Sequence, residues 1–256
     1  IAGRVEAVGS SVTRFKPGDE VFGDIWLSGL GGFAEYGCVR EDTLVAKPAN
    51  VSFEAAAAAP LAALTALQGL RDKGQIQPGQ KVLINGASGG VGTFAVQIAK
   101  ALGAEVTAVC STRNLDMVRS IGADHVIDYT KEDFTQNGKQ YDLIYCAVGN
   151  HSIADYKRAL TPQGICVIVG FTTLRLMFEH LIFGPRRSKP GGQQVGMMGT
   201  VRPNKEDLTF LKELLESGKV TPVIDRSYPL AEVPESLRYL EAGRARGKVV
   251  ITVAQH

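Results

Sequence analysis

Apolar and polar positions alternate through the middle of the chain in blocks that predict a strand followed by a helix. The clearest block reads KVLINGASGGVG over residues 81–92. An apolar, partly β-branched run at 82–84 leads into three glycines, and apolar residues then recur at helical spacing as far as Leu102. We therefore predict a strand, a tight turn and a helix. Glycine lets such a turn fold tightly, and the start of the helix offers free N–H groups to a pyrophosphate.

The same alternation continues along the chain and predicts an α/β fold with a doubly wound parallel sheet. The predicted strands are 82–85, 106–110, 125–128, 143–147 and 166–169, and the predicted helices between them are 90–102, 115–121 and 153–160. Beyond these, we predict helices at 174–183, 207–217 and 234–242, and strands at 195–200, 223–224 and 249–253. A polar, Gly- and Pro-rich stretch at 184–194 is predicted to be a surface excursion, and its role is open.

The first 47 residues follow a different pattern, which is typical of short antiparallel strands separated by turns. We predict strands around Val5–Val8, at Val21–Phe22 and over Phe33–Val39. Because this piece is short for a free-standing domain, we expect it to need partner strands from elsewhere in the chain. After Ser52 an alanine-rich helix is predicted, and Pro60 interrupts it before a second helix.

The composition excludes several classes of protein. Of 256 residues, 45% are hydrophobic and 21% are charged, and 28 basic against 26 acidic residues give a net charge of +2 without a long single-sign block. We therefore predict no nucleic-acid partner. The most apolar run, 55–67, is too short to span a membrane, so no membrane partner is predicted. Four widely spaced cysteines without a CxxC pair predict buried free thiols in a reducing compartment, the cytoplasm, and no zinc ribbon.

The end of the second predicted strand bears on which dinucleotide would bind. Folds that prefer NAD usually place an acid there, but this strand ends in Cys110, Ser111, Thr112 and Arg113. Hydroxyl donors and a guanidinium suit a 2′-phosphate, so the sequence favours NADP over NAD. The alternative is that the hydroxyls cap a helix and Arg113 is solvated, although capping and phosphate binding can coexist.

Several further motifs stand in a fixed order along the chain, namely FKPGDEV, GFAEY, Pro60 with LTA, GASGGVG, VTAVCSTR, GADHVIDY and GKVV. Together they resemble the medium-chain dehydrogenase/reductase superfamily, specifically its zinc-less, quinone-oxidoreductase-like branch. The resemblance implies a Rossmann dinucleotide-binding domain at 59–218 and a GroES-like, β-rich catalytic domain formed by 1–58 and 219–256. Because Ile1 falls inside a family motif, we expect an incomplete amino end, with substrate-pocket residues upstream.

The resemblance also implies a cofactor site for NADPH. The glycine loop and the end of the second strand form part of this site. The resemblance adds a tyrosine on the adenosine side, a threonine near the nicotinamide, the strand ends that flank the cofactor and a lysine of the closing motif. The predicted cofactor-binding residues are Thr65, Gly86, Ala87, Ser88, Gly89, Gly90, Val91, Gly92, Ser111, Arg113, Tyr129, Val148, Gly170, Phe171 and Lys248. Zinc-containing relatives carry a cysteine cluster after the GD-V turn, and residues 22–33 lack one, so zinc is not expected.

The function that the resemblance implies is NADPH-dependent transfer of hydride to a quinone, an enone or a similar small carbonyl compound. The alternatives are a zinc-independent alcohol dehydrogenase, an enoyl reductase and, in another class, a non-catalytic nucleotide-binding redox sensor. No catalytic residue is predicted, because Glu35 and Tyr36 belong to a structural motif of the family and His151 opens a loop. Relatives pair edge strands across a two-fold axis, so we expect a homodimer through 195–200.

Overall fold

The structure is a computed structural model that describes residues 1–29, 31–187 and 191–253. Its contacts divide the chain into two units. The first comprises Ile1–Leu64 together with the chain from Arg202 onward, and the second comprises Thr65–Val201. The first unit opens with the antiparallel sheet β1 (Ala2–Arg4), β2 (Glu20–Gly23) and β3 (Leu44–Ala46), in that spatial order.

Two helices follow this sheet. Helix α1 (Phe53–Ala58) begins after Ser52, whose hydroxyl oxygen accepts a hydrogen bond from the Ala55 amide at 3.2 Å. Helix α2 (Pro60–Gln68) begins at Pro60 itself, because the first turn of a helix needs no N–H at that position. A π-helical turn, Gly69–Lys73, continues it.

The second unit is built on a six-stranded parallel sheet with the strand order β6-β5-β4-β7-β8-β9. This order, which reverses between β4 and β7, is that of a doubly wound Rossmann sheet, so the predicted fold class is confirmed. The elements in chain order are β4 (Lys81–Asn85), α3 (Gly92–Ala101), β5 (Glu105–Cys110), α4 (Leu115–Ser120), β6 (His125–Asp128), β7 (Tyr141–Cys146), α5 (Ile153–Ala159), β8 (Leu160–Ile168), α6 (Leu174–Arg187) and β9 (Gln194–Met197).

The core of this unit lies in its central strands, where Leu83, Ile84, Leu143 and Ile144 are fully buried. Burial on both faces explains why these strands read as continuous apolar runs. The carboxyl ends of β4 and β7 meet at the point where the strand order reverses, which is where ligands bind in open α/β sheets.

The chain then completes the first unit. The remaining elements are α7 (Lys205–Glu216), β10 (Ile224–Pro229), α8 (Val233–Glu241) and β11 (Lys248–Thr252). Asn204 caps α7, since its side-chain oxygen accepts from the Asp207 amide at 2.8 Å. Strands β10 and β11 pair in parallel.

Three local predictions are wrong. No strand forms over Val5–Val8 or Phe33–Val39 in the described chain, and the side chains of Val8, Phe33 and Tyr36 are exposed. Apolar residues alone do not hold a strand, because its backbone groups also need a paired neighbour. Helix α6 runs to Arg187, four residues beyond the predicted end at 183, and residues 188–190 of the predicted surface excursion lie outside the described chain.

Three of the four thiols lie in the parallel sheet. Cys110, Cys146 and Cys166 are buried on β5, β7 and β8, whereas Cys38 is exposed. Burial raises the pKa of the Cys110 thiol to about 11 and that of Cys166 well above its ordinary value. No helix in the described ranges combines the length and the apolar character that crossing a membrane would require.

Candidate cofactor site

The glycine loop joins β4 to α3, and two of its glycines are required by packing. Gly86 has a left-handed φ of 82°, and a Cβ there would stand 2.7 Å from Val148 Cγ2. A Cβ on Gly92 would collide with the carbonyl oxygen of Gly86 and stand 2.8 Å from Ala87 Cα. Gly89 differs, because its nearest neighbour would be the Gly86 oxygen at 3.5 Å, an ordinary contact.

The loop and the first turn of α3 present unpaired backbone N–H groups. Gly86 and Ala87 donate to the Val109 oxygen at 3.2 and 3.1 Å, which ties the loop to β5. In contrast, the amides of Ser88, Val91 and Gly92 have no acceptor among the described residues. Free amides at the positive end of a ten-residue helix form an anion site that fits the pyrophosphate of a dinucleotide.

The end of β5 lies beside this loop. Ser111 is the N-cap residue of a 3₁₀ turn, Thr112–Asn114, and its hydroxyl oxygen accepts from Asn114 Nδ2 at 3.1 Å. The same nitrogen donates to Ser88 Oγ at 3.0 Å, so one side chain connects the glycine loop to the strand end. Sequence reasoning missed Asn114, which reads as an ordinary helix-cap residue.

An acid that the sequence analysis did not place here lies on the neighbouring strand. Asp128 ends β6 opposite Cys110 and accepts hydrogen bonds from Thr112 Oγ1 at 2.5 Å and Thr130 Oγ1 at 2.7 Å. These bonds, that of Thr112 above all, lower the pKa of Asp128 to about 2. The Thr112 hydroxyl therefore donates its proton to the Asp128 carboxylate. Ser111 and Arg113 lie on either side of Thr112 at the end of β5.

Tyr129 follows Asp128 and lies at the same edge. Its amide donates to the Cys110 oxygen at 3.1 Å, and its side chain is 61% exposed. The structure therefore brings Ser111, Arg113 and Tyr129 to one end of the sheet.

The other predicted strand-end residues also gather at the carboxyl edge. Val148 contacts Gly86 and its carbonyl oxygen accepts from Asn85 Nδ2 at 2.7 Å. Gly149 donates to the Gly170 oxygen at 2.6 Å and forms a parallel bridge with Phe171. Asn85, buried at the end of β4, is a second positioning residue that the sequence analysis missed, although an amide ending an apolar strand is a usable signal.

Thr65 and Lys248 belong to different units. Thr65 is buried at the start of the second unit, where its backbone oxygen accepts from the Tyr145 hydroxyl at 3.2 Å. Lys248 begins β11 in the first unit, and its backbone amide donates to the Val223 oxygen at 2.8 Å. Burial lowers the pKa of the Lys248 amine.

Metal ligands do not cluster in the part of the chain that the structure describes. No group of three or more His, Cys, Asp or Glu side chains there could hold a metal ion. His151, one of the acids considered from the sequence, packs against the ring of Phe134 at a centroid distance of 5.0 Å.

Two family models match the chain. The family described as "Alcohol dehydrogenase GroES-like domain" matches residues 1–49, and the family described as "Zinc-binding dehydrogenase" matches residues 121–251.

Curated relatives and solved structures that resemble the chain are reductases and oxidoreductases. The chain is 40% identical over 261 residues to a 2-methylene-furan-3-one reductase of Solanum lycopersicum and 34% identical over 270 residues to a chloroplastic NADPH-dependent alkenal/one oxidoreductase of Arabidopsis thaliana. Each match covers 98% of this chain but 62% of the relative, so the chain spans less than two thirds of their length. A quinone oxidoreductase structure from Coxiella burnetii superposes with a TM-score of 0.80 at 28% identity, over 99% of this chain and 78% of that one.

Proposed function

The chain belongs to the medium-chain dehydrogenase/reductase superfamily, in its quinone-oxidoreductase-like branch, and from this premise we propose that it is an NADPH-dependent oxidoreductase. It passes hydride to a quinone, an enone or a similar small carbonyl compound, without zinc. The observation that carries the proposal is the loop at 86–92, where free amides open a helix and two glycines exclude any side chain.

The nicotinamide supplies the hydride when it is bound, and the protein's part is to bind and orient it. The amides of Ser88, Val91 and Gly92 hold the pyrophosphate, and Gly89 leaves room for the backbone to approach. Val148, Gly170 and Phe171 lie at the strand ends and would hold the nicotinamide half, and the bond between Asn85 and Val148 fixes that edge. Thr65 and Lys248 are proposed as further cofactor contacts.

Turnover with chosen acceptors tests this function. The protein is mixed with NADPH and either 1,2-naphthoquinone, a set of enones or an enoyl thioester, and the loss of NADPH absorbance is followed. We expect oxidation with a quinone or an enone. Oxidation with the thioester alone would instead support the enoyl reductase alternative, and alcohol-dependent reduction of NADP⁺ would support the alcohol dehydrogenase. Tight NADPH binding without oxidation by any acceptor would support the alternative of a non-catalytic redox sensor. Absence of NADPH binding would overturn the proposal.

The preference for NADPH over NADH rests on Ser111 and Arg113. The Asp128 carboxylate disfavours a nearby phosphate, but the hydroxyls of Thr112 and Thr130 and the amine of Lys131, 3.7 Å away, offset its charge. We expect Arg113→Ala to raise the Kd of NADPH by about tenfold and to leave that of NADH nearly unchanged, because a hydrogen bond to a charged group is lost in one case alone. A titration of both dinucleotides measures this, and an equal loss for both would contradict the preference.

Assembly and location are also proposed. Strand β9 lies at the edge of the parallel sheet, and we propose that two copies pair there as a homodimer. The buried thiols support a reducing compartment, and the cytoplasm stays the predicted location.

A further inference from the structure

One buried amide side chain joins two parts of the candidate cofactor site. Asn114 is 4% exposed, and its Nδ2 donates to Ser88 Oγ at 3.0 Å and to Ser111 Oγ at 3.1 Å. Its Oδ1 is buried and has no hydrogen-bond partner among the described residues. Asn114 holds the N-cap position of α4, yet its side chain caps no helical N–H, unlike that of Asn204 at α7.

The orientation of this amide follows from the count of its donors and acceptors. An asparagine side chain has two N–H donors and one carbonyl. With the nitrogen toward the serines, both donors are used and a single acceptor is left without a partner. The reverse orientation would leave two buried donors unpaired, which costs more than one under-used carbonyl.

This orientation decides where the serine protons go. A hydroxyl carries one proton, and when its oxygen accepts from Asn114 that proton is left to donate elsewhere. Neither Ser88 Oγ nor Ser111 Oγ donates to another residue in the part of the chain that the structure describes. Both side chains are partly exposed, one in the glycine loop and the other beside Arg113. Two outward donors in these places suit two anionic groups of one ligand.

We propose that Asn114 is a positioning residue that turns the protons of Ser88 and Ser111 outward, toward the pyrophosphate and the 2′-phosphate of NADPH respectively. The inference rests on the proposed function and extends it. A side chain that does not itself contact the dinucleotide becomes responsible for part of the discrimination between NADPH and NADH. NADH lacks the 2′-phosphate and so depends on Asn114 through Ser88 alone.

The test compares binding and stability in Asn114→Leu. Leucine keeps the branched shape and the number of heavy atoms, and it removes both the donors and the unpartnered carbonyl. Because the hydroxyls of Ser88 and Ser111 are partly exposed and can bond to water instead, we expect little change in the melting temperature. The Kd of NADPH, measured by quenching of its fluorescence, should rise by about tenfold and that of NADH by about threefold, because two serine hydrogen bonds are weakened in the first case and one in the second. Asn204→Ala, which removes another N-cap asparagine, should lower the melting temperature and leave both Kd values unchanged.

A double-mutant comparison separates positioning from a merely structural role. In the Ser88→Ala/Ser111→Ala background, Asn114 has no hydroxyl to orient, so Asn114→Leu should change the Kd of NADPH by less than about twofold. A full tenfold loss in that background, or no loss in the wild-type background, would overturn the inference. Asn114→Ala repeats the comparison if leucine prevents folding. Wild-type protein that binds neither dinucleotide would overturn the proposed function itself, whereas binding that is indifferent to Asn114 overturns this inference alone.

Discussion

At the scale of single residues, the loop at 86–92 shows that glycine serves two physical purposes in one motif. Gly92 is enclosed by the backbone of Gly86 and Ala87, so any side chain would displace the chain itself. Gly89 has an ordinary contact and a backbone that other residues can adopt. The sequence pattern predicts the loop but does not distinguish these two roles, because both positions are glycine and the difference lies in their surroundings.

We expect Gly92→Ala to destabilise the protein by about 2 kcal/mol or more and to abolish NADPH binding, since backbone must move to accommodate the methyl group. Gly89→Ala is the matched control. It should change the free energy of unfolding by less than about 1 kcal/mol while weakening NADPH binding. Urea unfolding and dinucleotide titration of both variants measure this, and equal destabilisation by the two would contradict the assignment.

Asp128 gives a second prediction at this scale, with a defined pH dependence. Its folded-state pKa of about 2 lies below the ordinary 3.8, so its stabilising contribution is complete above pH 3.8 and is lost as the pH falls toward 2. Thr112→Val removes the largest cause and should raise this pKa toward 3.8. The variant should then be less stable than wild type at pH 5 to 7, and the difference should shrink below about pH 4.

Carboxyl-carbon NMR titration reads the pKa of Asp128 directly. Thr130→Val serves as the comparison and should raise the pKa less, because its hydroxyl contributes less than that of Thr112. An Asp128 pKa that stays near 2 in Thr112→Val would contradict the account. The sequence could not reveal this carboxylate's place, because adjacency between β5 and β6 is a property of the sheet and not of the spacing along the chain.

At the scale of elements, prediction from the sequence succeeds where burial is two-sided. Strands such as β4 and β7 are continuous apolar runs bounded by turns, and the structure places them within two residues of the predicted bounds. Phe33–Val39 is also rich in apolar residues, but Glu35 and Gly37 interrupt it and it lacks a partner strand in the described chain, so no strand forms there. Local composition cannot show which partner a strand finds.

The edge strand β9 carries the prediction at this scale. The Met198 amide donates to Ile168 of β8 at 2.8 Å, so by the alternation of a strand the backbone groups of Met197 face away from β8. Met197→Pro removes an outward N–H without breaking that ladder, and we expect it to convert the proposed dimer to a monomer. Sedimentation velocity at micromolar concentration measures the change, with Met197→Ala as the control. A monomeric wild type, or a dimeric proline variant, would contradict the proposal.

At the scale of the whole molecule, the proposed cofactor residues are divided between two units. Those from Thr65 to Phe171 lie in the second unit, and Lys248 lies in the first. The family resemblance implies that both chain ends form one domain, and this division stays a prediction. The exact domain boundaries at 58 and 218 stay a prediction.

Lys248 tests whether the first unit contributes to cofactor binding. Because burial lowers its pKa, the unfolded state binds more protons between the folded pKa and 10.5, and wild-type stability rises with pH across that window. Lys248→Met should therefore be more stable than wild type at neutral pH, and this advantage should fade as the pH approaches 10.5. If the amine binds the cofactor, the Kd of NADPH should rise by about tenfold in the same variant. An unchanged Kd of NADPH in this variant would contradict the assignment of Lys248 to the cofactor site.

The positions of the four cysteine sulfurs allow alkylation to measure how often the parallel sheet opens. In the folded state an alkylating reagent reaches Cys38, while the sulfurs on β5, β7 and β8 are buried and shielded from it. Modification of these three requires the parallel sheet to open, so the rate at which they are alkylated reports how often it opens. Mass spectrometry during such labelling would count one adduct early and further adducts late, and bound NADPH should delay the late ones because a ligand that binds the folded state suppresses opening.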